Sequence, residues 1–121
     1  MRKEISNLKY FLNKNKKNKF NEIFYEINHY LKKTKINLCF VYIPDWNRFI
    51  VKDYDNFDLK LTQKVAKENK IPFVDTLKIF NKIKNIEDYY ALKYDYSGGH
   101  FNERGYKVVV DEIVKTKGCI I

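Results

Sequence analysis

Apolar positions recur along the chain with a helical period first and an extended one later. Residues 3–12 set Ile5, Leu8, Phe11 and Leu12 on one helical face. Residues 19–33 repeat the pattern more strongly. There Phe20, Ile23, Phe24, Ile27 and Leu31 follow the i, i+3, i+4, i+7 rule, with Lys, Glu and Asn opposite. Asn18 stands where an N-cap would open this second helix. The two segments predict a helical hairpin over residues 1–35, joined by the polar run at 13–19.

Residues 36–43 are rich in β-branched and aromatic side chains and apolar on both faces, as a central strand covered by helices would be. Pro44 ends that strand. Residues 57–70 are polar with apolar points at Phe57, Leu61 and Val65, which predicts a surface helix. Residues 71–74 predict a second short strand, and Asp75 and Thr76 supply a cap for a helix carrying Leu77, Phe80 and Ile83. Residues 84–99 are irregular and Tyr-rich. A last helix opens at Asn102, buries Tyr106, Val109, Val110, Ile113 and Val114, and stops at Gly118.

Strand, helix and strand in close succession predict a parallel α/β sheet with a right-handed crossover. The chain reads as one structural domain in two parts, a hairpin at 1–35 and an α/β part at 36–121. In open sheets of this kind ligands bind outside the carboxyl ends of the strands.

Composition narrows the picture. With 121 residues, 45% hydrophobic and 17% aromatic, the chain is long enough for one small core and too apolar for wholesale disorder. The longest apolar run spans residues 38–43, too short to cross a bilayer. The first residues lead into no apolar signal segment, so a cytoplasmic location is the default expectation. The two cysteines, Cys39 and Cys119, belong to no CxxC pair. That argues against a disulfide framework or a zinc site and favours a reducing compartment. No metal or cofactor is implied.

The net charge of +9 is local. Residues 1–35 carry ten Lys and Arg against three acids, whereas residues 36–121 carry fourteen against twelve. A nucleic-acid role would rest on Lys14, Lys16, Lys17 and Lys19. It is disfavoured, because no aromatic or Arg interleaves that run to stack on a base.

Three segments are expected at the carboxyl edge: Asp45, Trp46 and Arg48 after the first strand, Asp75 after the second, and Asp95 to Asn102 before the last helix. His100 draws attention there. It follows two glycines and precedes a helix cap, and an imidazole so placed suits general-base work. The alternative is a turn histidine that hydrogen-bonds the helix start. The other histidine, His29, lies off the apolar stripe of its helix.

The residues Gly99-His100-Phe101-Asn102-Glu103-Arg104-Gly105-Tyr106 resemble the last block of the SGNH (GDSL-type) hydrolases, which reads His, a variable residue, Asn, two variable residues, Gly and a bulky apolar residue. The stretch at 40–49, with its Ile43-Pro44-Asp45-Trp46 turn, and Ile71-Pro72-Phe73-Val74-Asp75 resemble two further segments of that family. The likeness spans about residues 36–115. It implies a partial flavodoxin-like three-layer α/β fold and acyl transfer through a Ser nucleophile, a His base and an orienting Asp.

Carried over by position, His100 is the base. The orienting position three residues earlier holds Ser97, so Asp95 is the first substitute and Asp75 the second. Trp46, Arg48, Asp45 and Tyr96 are the candidate substrate-binding residues, for an ester or an acylated carbohydrate. The Gly-Asp-Ser turn and the oxyanion blocks have no counterpart, since Ser6 and Ser97 are the only serines. The expectation is therefore the carboxy-terminal part of such a hydrolase, inactive alone. It would pair with a complementary chain carrying the missing amino-terminal half, or self-associate. The alternative is a basic nucleic-acid-binding or protein-interaction module built on residues 1–35.

Overall fold

The computed structural model describes residues 2–91 and 99–120, with residues 2–14 as backbone only. Helix α1 (Arg2–Lys33) leads to strand β1 (Phe40–Tyr42) and a single turn α2 (Asn47–Ile50). Helix α3 (Phe57–Glu68), strand β2 (Phe73–Asp75) and a second single turn α4 (Leu77–Phe80) follow. A 3₁₀ turn (Ile86–Tyr89) and helix α5 (Glu103–Lys115) complete the order. The two strands pair in parallel, with Phe40 beside Phe73, Val41 beside Val74 and Tyr42 beside Asp75. The fold is mixed α/β, a short parallel sheet with helices on both faces.

Side chains alternate across a strand, so Phe40 and Val41 serve opposite layers. On one face Phe40 meets Phe24 of α1, with ring centres 5.1 Å apart, and stacks on Phe73 at 5.7 Å. Helix α3 completes that layer by burying Leu59, Leu61, Val65 and Ala66. On the other face Val41 packs into a core of Phe80, Tyr90, Phe101 and Val109, with Trp46 and Phe49 around it.

The expected hairpin over 1–35 is replaced by one unbroken helix, and Asn18 lies inside it rather than at a cap. The run at 13–19 contains no Gly or Pro to stop a helix, Lys is a good helix former, and each Asn costs only about 0.7 kcal/mol. Packing holds the segment in place. Lys16 pairs with Asp58 of α3 and lies 5.4 Å above the Phe57 ring.

Three other expectations are corrected. Of residues 36–43 only 40–42 form a ladder. Thr76 does not cap α4; its hydroxyl donates to the Tyr42 carbonyl at 2.6 Å and ties the two strand ends together. Helix α5 buries Val109, but Tyr106, Val110 and Val114 are exposed.

Both helix-to-strand turns are built alike. Lys35 (φ 58°) and Lys70 (φ 53°) are left-handed. The following amides, Ile36 and Ile71, donate back to Leu31 and Ala66 at 2.9 and 2.8 Å. Each closes a Schellman-type stop, which caps otherwise orphaned carbonyls.

Cys39 and Cys119 are joined in a disulfide, their Cα atoms 5.0 Å apart. This corrects the expectation that the two cysteines form no disulfide. Helix α5 brings the cysteines together by returning the chain to the amino ends of the strands. There Gly118, at φ 90°, lies against Pro72, and a Cβ would come within 2.9 Å of the proline ring. Among the described residues no helix is long and apolar enough to cross a membrane.

Candidate active site at the carboxyl edge

The turn after β1 begins with Pro44, whose carbonyl accepts from the Tyr90 hydroxyl at 2.9 Å. Asp45 follows and organises the loop. Its Oδ1 accepts from the Arg48 amide at 3.2 Å and its Oδ2 from the Tyr54 hydroxyl at 2.7 Å. The Arg48 guanidinium lies 4.8 Å above the Tyr54 ring, a cation–π contact. Trp46 sets its edge against Tyr90 at 5.2 Å and forms part of the core wall.

His100 is held by backbone. Tyr90 and Phe101 form an antiparallel bridge, the Ala91 amide donates to the His100 carbonyl at 2.7 Å, and the Asn102 amide donates to Tyr89 at 3.0 Å. Asn102 then caps α5. Its Oδ1 accepts from the Gly105 amide at 3.1 Å, and its Nδ2 donates to the Asp88 carbonyl at 2.7 Å. Gly105 is required by crowding, because a Cβ there would lie 2.5 Å from the Tyr89 carbonyl oxygen. The His-x-Asn-x-x-Gly spacing thus has a local cause: Asn closes the first turn and Gly admits the bridge strand.

This frame leaves His100 exposed on the wall of a pocket of about 120 Å³. The pocket is shared with Pro44, Asp45, Tyr90 and Tyr106. The imidazole and the Asp45 segment therefore meet at the carboxyl end of β1.

Asp75 is placed differently. Its side chain is only 9% exposed, and Oδ2 accepts from Gln63 Nε2 at 3.1 Å and faces Lys78 Nζ at 3.9 Å. It lines no wall of the His100 pocket. Its Oδ1, the Arg48 Nη1 and the Asn56 side-chain Oδ1 are buried with no hydrogen-bond partner among the described residues. Asp95, Tyr96 and Ser97 lie outside the described residues.

The tyrosines respond to these acids. Burial, then the hydrogen bond to Asp45, pushes the Tyr54 phenol up to about 12. Burial, then the Asp45 charge, pushes Tyr90 up, and burial raises Tyr42. Tyr54 and Tyr90 were not among the sequence-derived candidates. Tyr90 belongs to the Tyr-rich segment, but nothing in its spacing marks it as the link to Pro44. Among the described residues no three His, Cys, Asp or Glu side chains gather as a metal site requires.

Compared with known proteins, the chain matches no family model, no curated protein and no solved structure.

Proposed function

We propose that the chain is the carboxy-terminal part of an SGNH/GDSL-like ester hydrolase or acyl-transfer protein. His100 serves as general base, Asp95 orients it, and the Ser nucleophile comes from polypeptide outside this sequence. One observation carries the reading. His100 is solvent-accessible in a pocket at the carboxyl edge of a parallel sheet, shared with the turn after β1.

The base would take a proton from the attacking hydroxyl and return it to the leaving group. Asp45 shapes the pocket by holding its loop through Arg48 and Tyr54. Asp75, engaged with Gln63, serves the sheet edge instead. Arg48 and Tyr96 stay as substrate-binding candidates, Trp46 as a pocket-wall support, and an ester or acylated carbohydrate as the substrate. A complementary chain supplying the nucleophile is part of this reading, and the disulfide favours an oxidising compartment over the cytoplasm.

The nucleic-acid alternative loses ground. Lys16, one of the four lysines it would rest on, is paired with Asp58 of α3.

The test is hydrolysis of p-nitrophenyl acetate by the purified chain and its His100→Ala variant. Both are expected at the buffer rate. Turnover above buffer that vanishes in His100→Ala overturns the absence of a nucleophile. Turnover that persists in the variant overturns the role of His100 as well.

A further inference from the structure

Each strand of the sheet has one partner, but the two outer edges differ. Strand β2 is flanked by buried Ile71 and Leu77 and carries buried Val74. Strand β1 is only half-buried, and the residues flanking it, Ile36 and Ile43, are exposed. The Phe40 amide is spent on Pro72 at 2.9 Å. Alternation along the strand turns the Val41 amide and carbonyl to the other edge, where no strand lies among the described residues.

Apolar stripes border this edge on both layers. On α1 they are Ile23, Ile27 and Tyr30, and on α5 Tyr106, Val110 and Val114, all exposed. Phe20 and Phe24 of α1 lie against Phe40, and Tyr106 and Ile43 both line the His100 pocket. Both stripes therefore belong to the β1 side of the sheet.

Charge selects the occupant. The α1 stripe lies within residues 1–35, where ten Lys and Arg face three acids. A second copy seated edge to edge would bring α1 against α1 and set like charges together.

We propose that the open edge of β1 is a docking site for an extended strand of a separate acidic polypeptide, seated between the α1 and α5 stripes. Main-chain hydrogen bonds to Val41 give the register, and the stripes bury the partner's apolar side chains. This deepens the complementary-chain reading above and rests on it for the partner's role in catalysis. Its own test is blind to ester chemistry, so the two fail separately.

The probe is the synthetic peptide acetyl-DEVIVTVED-amide, compared with its counterpart in which Lys replaces every Asp and Glu. Binding is followed by amide exchange and NMR shifts on the full chain with its disulfide intact. The acidic peptide is expected to bind at least tenfold more tightly than the basic one and to slow exchange at Val41 and Ile43. Tyr30→Ser and Val110→Ser, at well-exposed positions of the two stripes, are expected to weaken it several-fold each. Equal binding of both peptides, or no protection on β1, overturns the proposal. So does a dimer in sedimentation that Ile43→Lys dissolves, because a second copy would then own the edge.

Discussion

The Tyr90 hydroxyl donates to the Pro44 carbonyl and so joins the segment bridged to Phe101, the neighbour of His100, to the turn that carries Asp45. Both ends of this bond are buried. Tyr90→Phe keeps the ring in its core position and leaves the carbonyl unsatisfied. A loss of about 1–3 kcal/mol is expected, read as a lower urea midpoint. An unchanged midpoint would refute the bond's structural role.

Alkaline pH attacks the same region. An unfolded tyrosine ionises near 10, as a rule of thumb of about that value, whereas Tyr54 in the fold is pushed up to about 12. The folded state holds the proton longer. The stability this contributes is whole below pH 10 and is lost as pH rises from there to about 12. Tyr42 and Tyr90 shift in the same direction. Denaturation midpoints should fall across that window, and less steeply in Tyr54→Phe. A spectrophotometric titration of the folded chain in which all ten tyrosines ionise together near their ordinary value contradicts this.

Gly105→Ala tests the helix entry. In open helix, alanine would add roughly 1 kcal/mol of stability over glycine. Here the new Cβ meets the Tyr89 carbonyl oxygen and, at 2.8 Å, Phe101 Cβ, neither of which rotates away. A net loss of about 1–3 kcal/mol is expected, with the His100 amide resonance displaced. A raised melting temperature would show that the bridge strand yields freely.

Cys119→Ser opens a bridge between residues 80 apart in sequence, for which loop entropy sets a loss on the order of 4–5 kcal/mol. Wild-type protein under reductant should match the variant in guanidinium denaturation. Coincident curves for oxidised and reduced wild type would show that the bridge adds nothing.

Much of this architecture was readable from residue order. Asn102 as a cap and the two parallel strands follow from local chemistry, whereas α5 ends at Lys115, with an extended Thr116 rather than Gly118 at its C-cap. The continuity of α1 was not readable, because Asn and Lys are as common in loops as in exposed helix and only α3 supplies Asp58 and Phe57 to hold Lys16. The disulfide was hidden for a similar reason: its partners meet through tertiary return, not through spacing. For the site, His100 and Asp45 were legible as neighbours at one sheet edge. Asp75 stands at the sheet edge where strand register puts it, and its engagement by Gln63 of α3 was not legible because that contact is tertiary.

The twin left-handed lysines have a practical consequence. A non-glycine residue in that conformation carries about 1–2 kcal/mol of backbone strain. Glycine relieves it at an entropic cost of roughly 0.5–1 kcal/mol. Lys35 and Lys70 are both exposed, so little is lost with their side chains. Lys35→Gly and Lys70→Gly should each raise the melting temperature, which differential scanning calorimetry of the two variants would read directly.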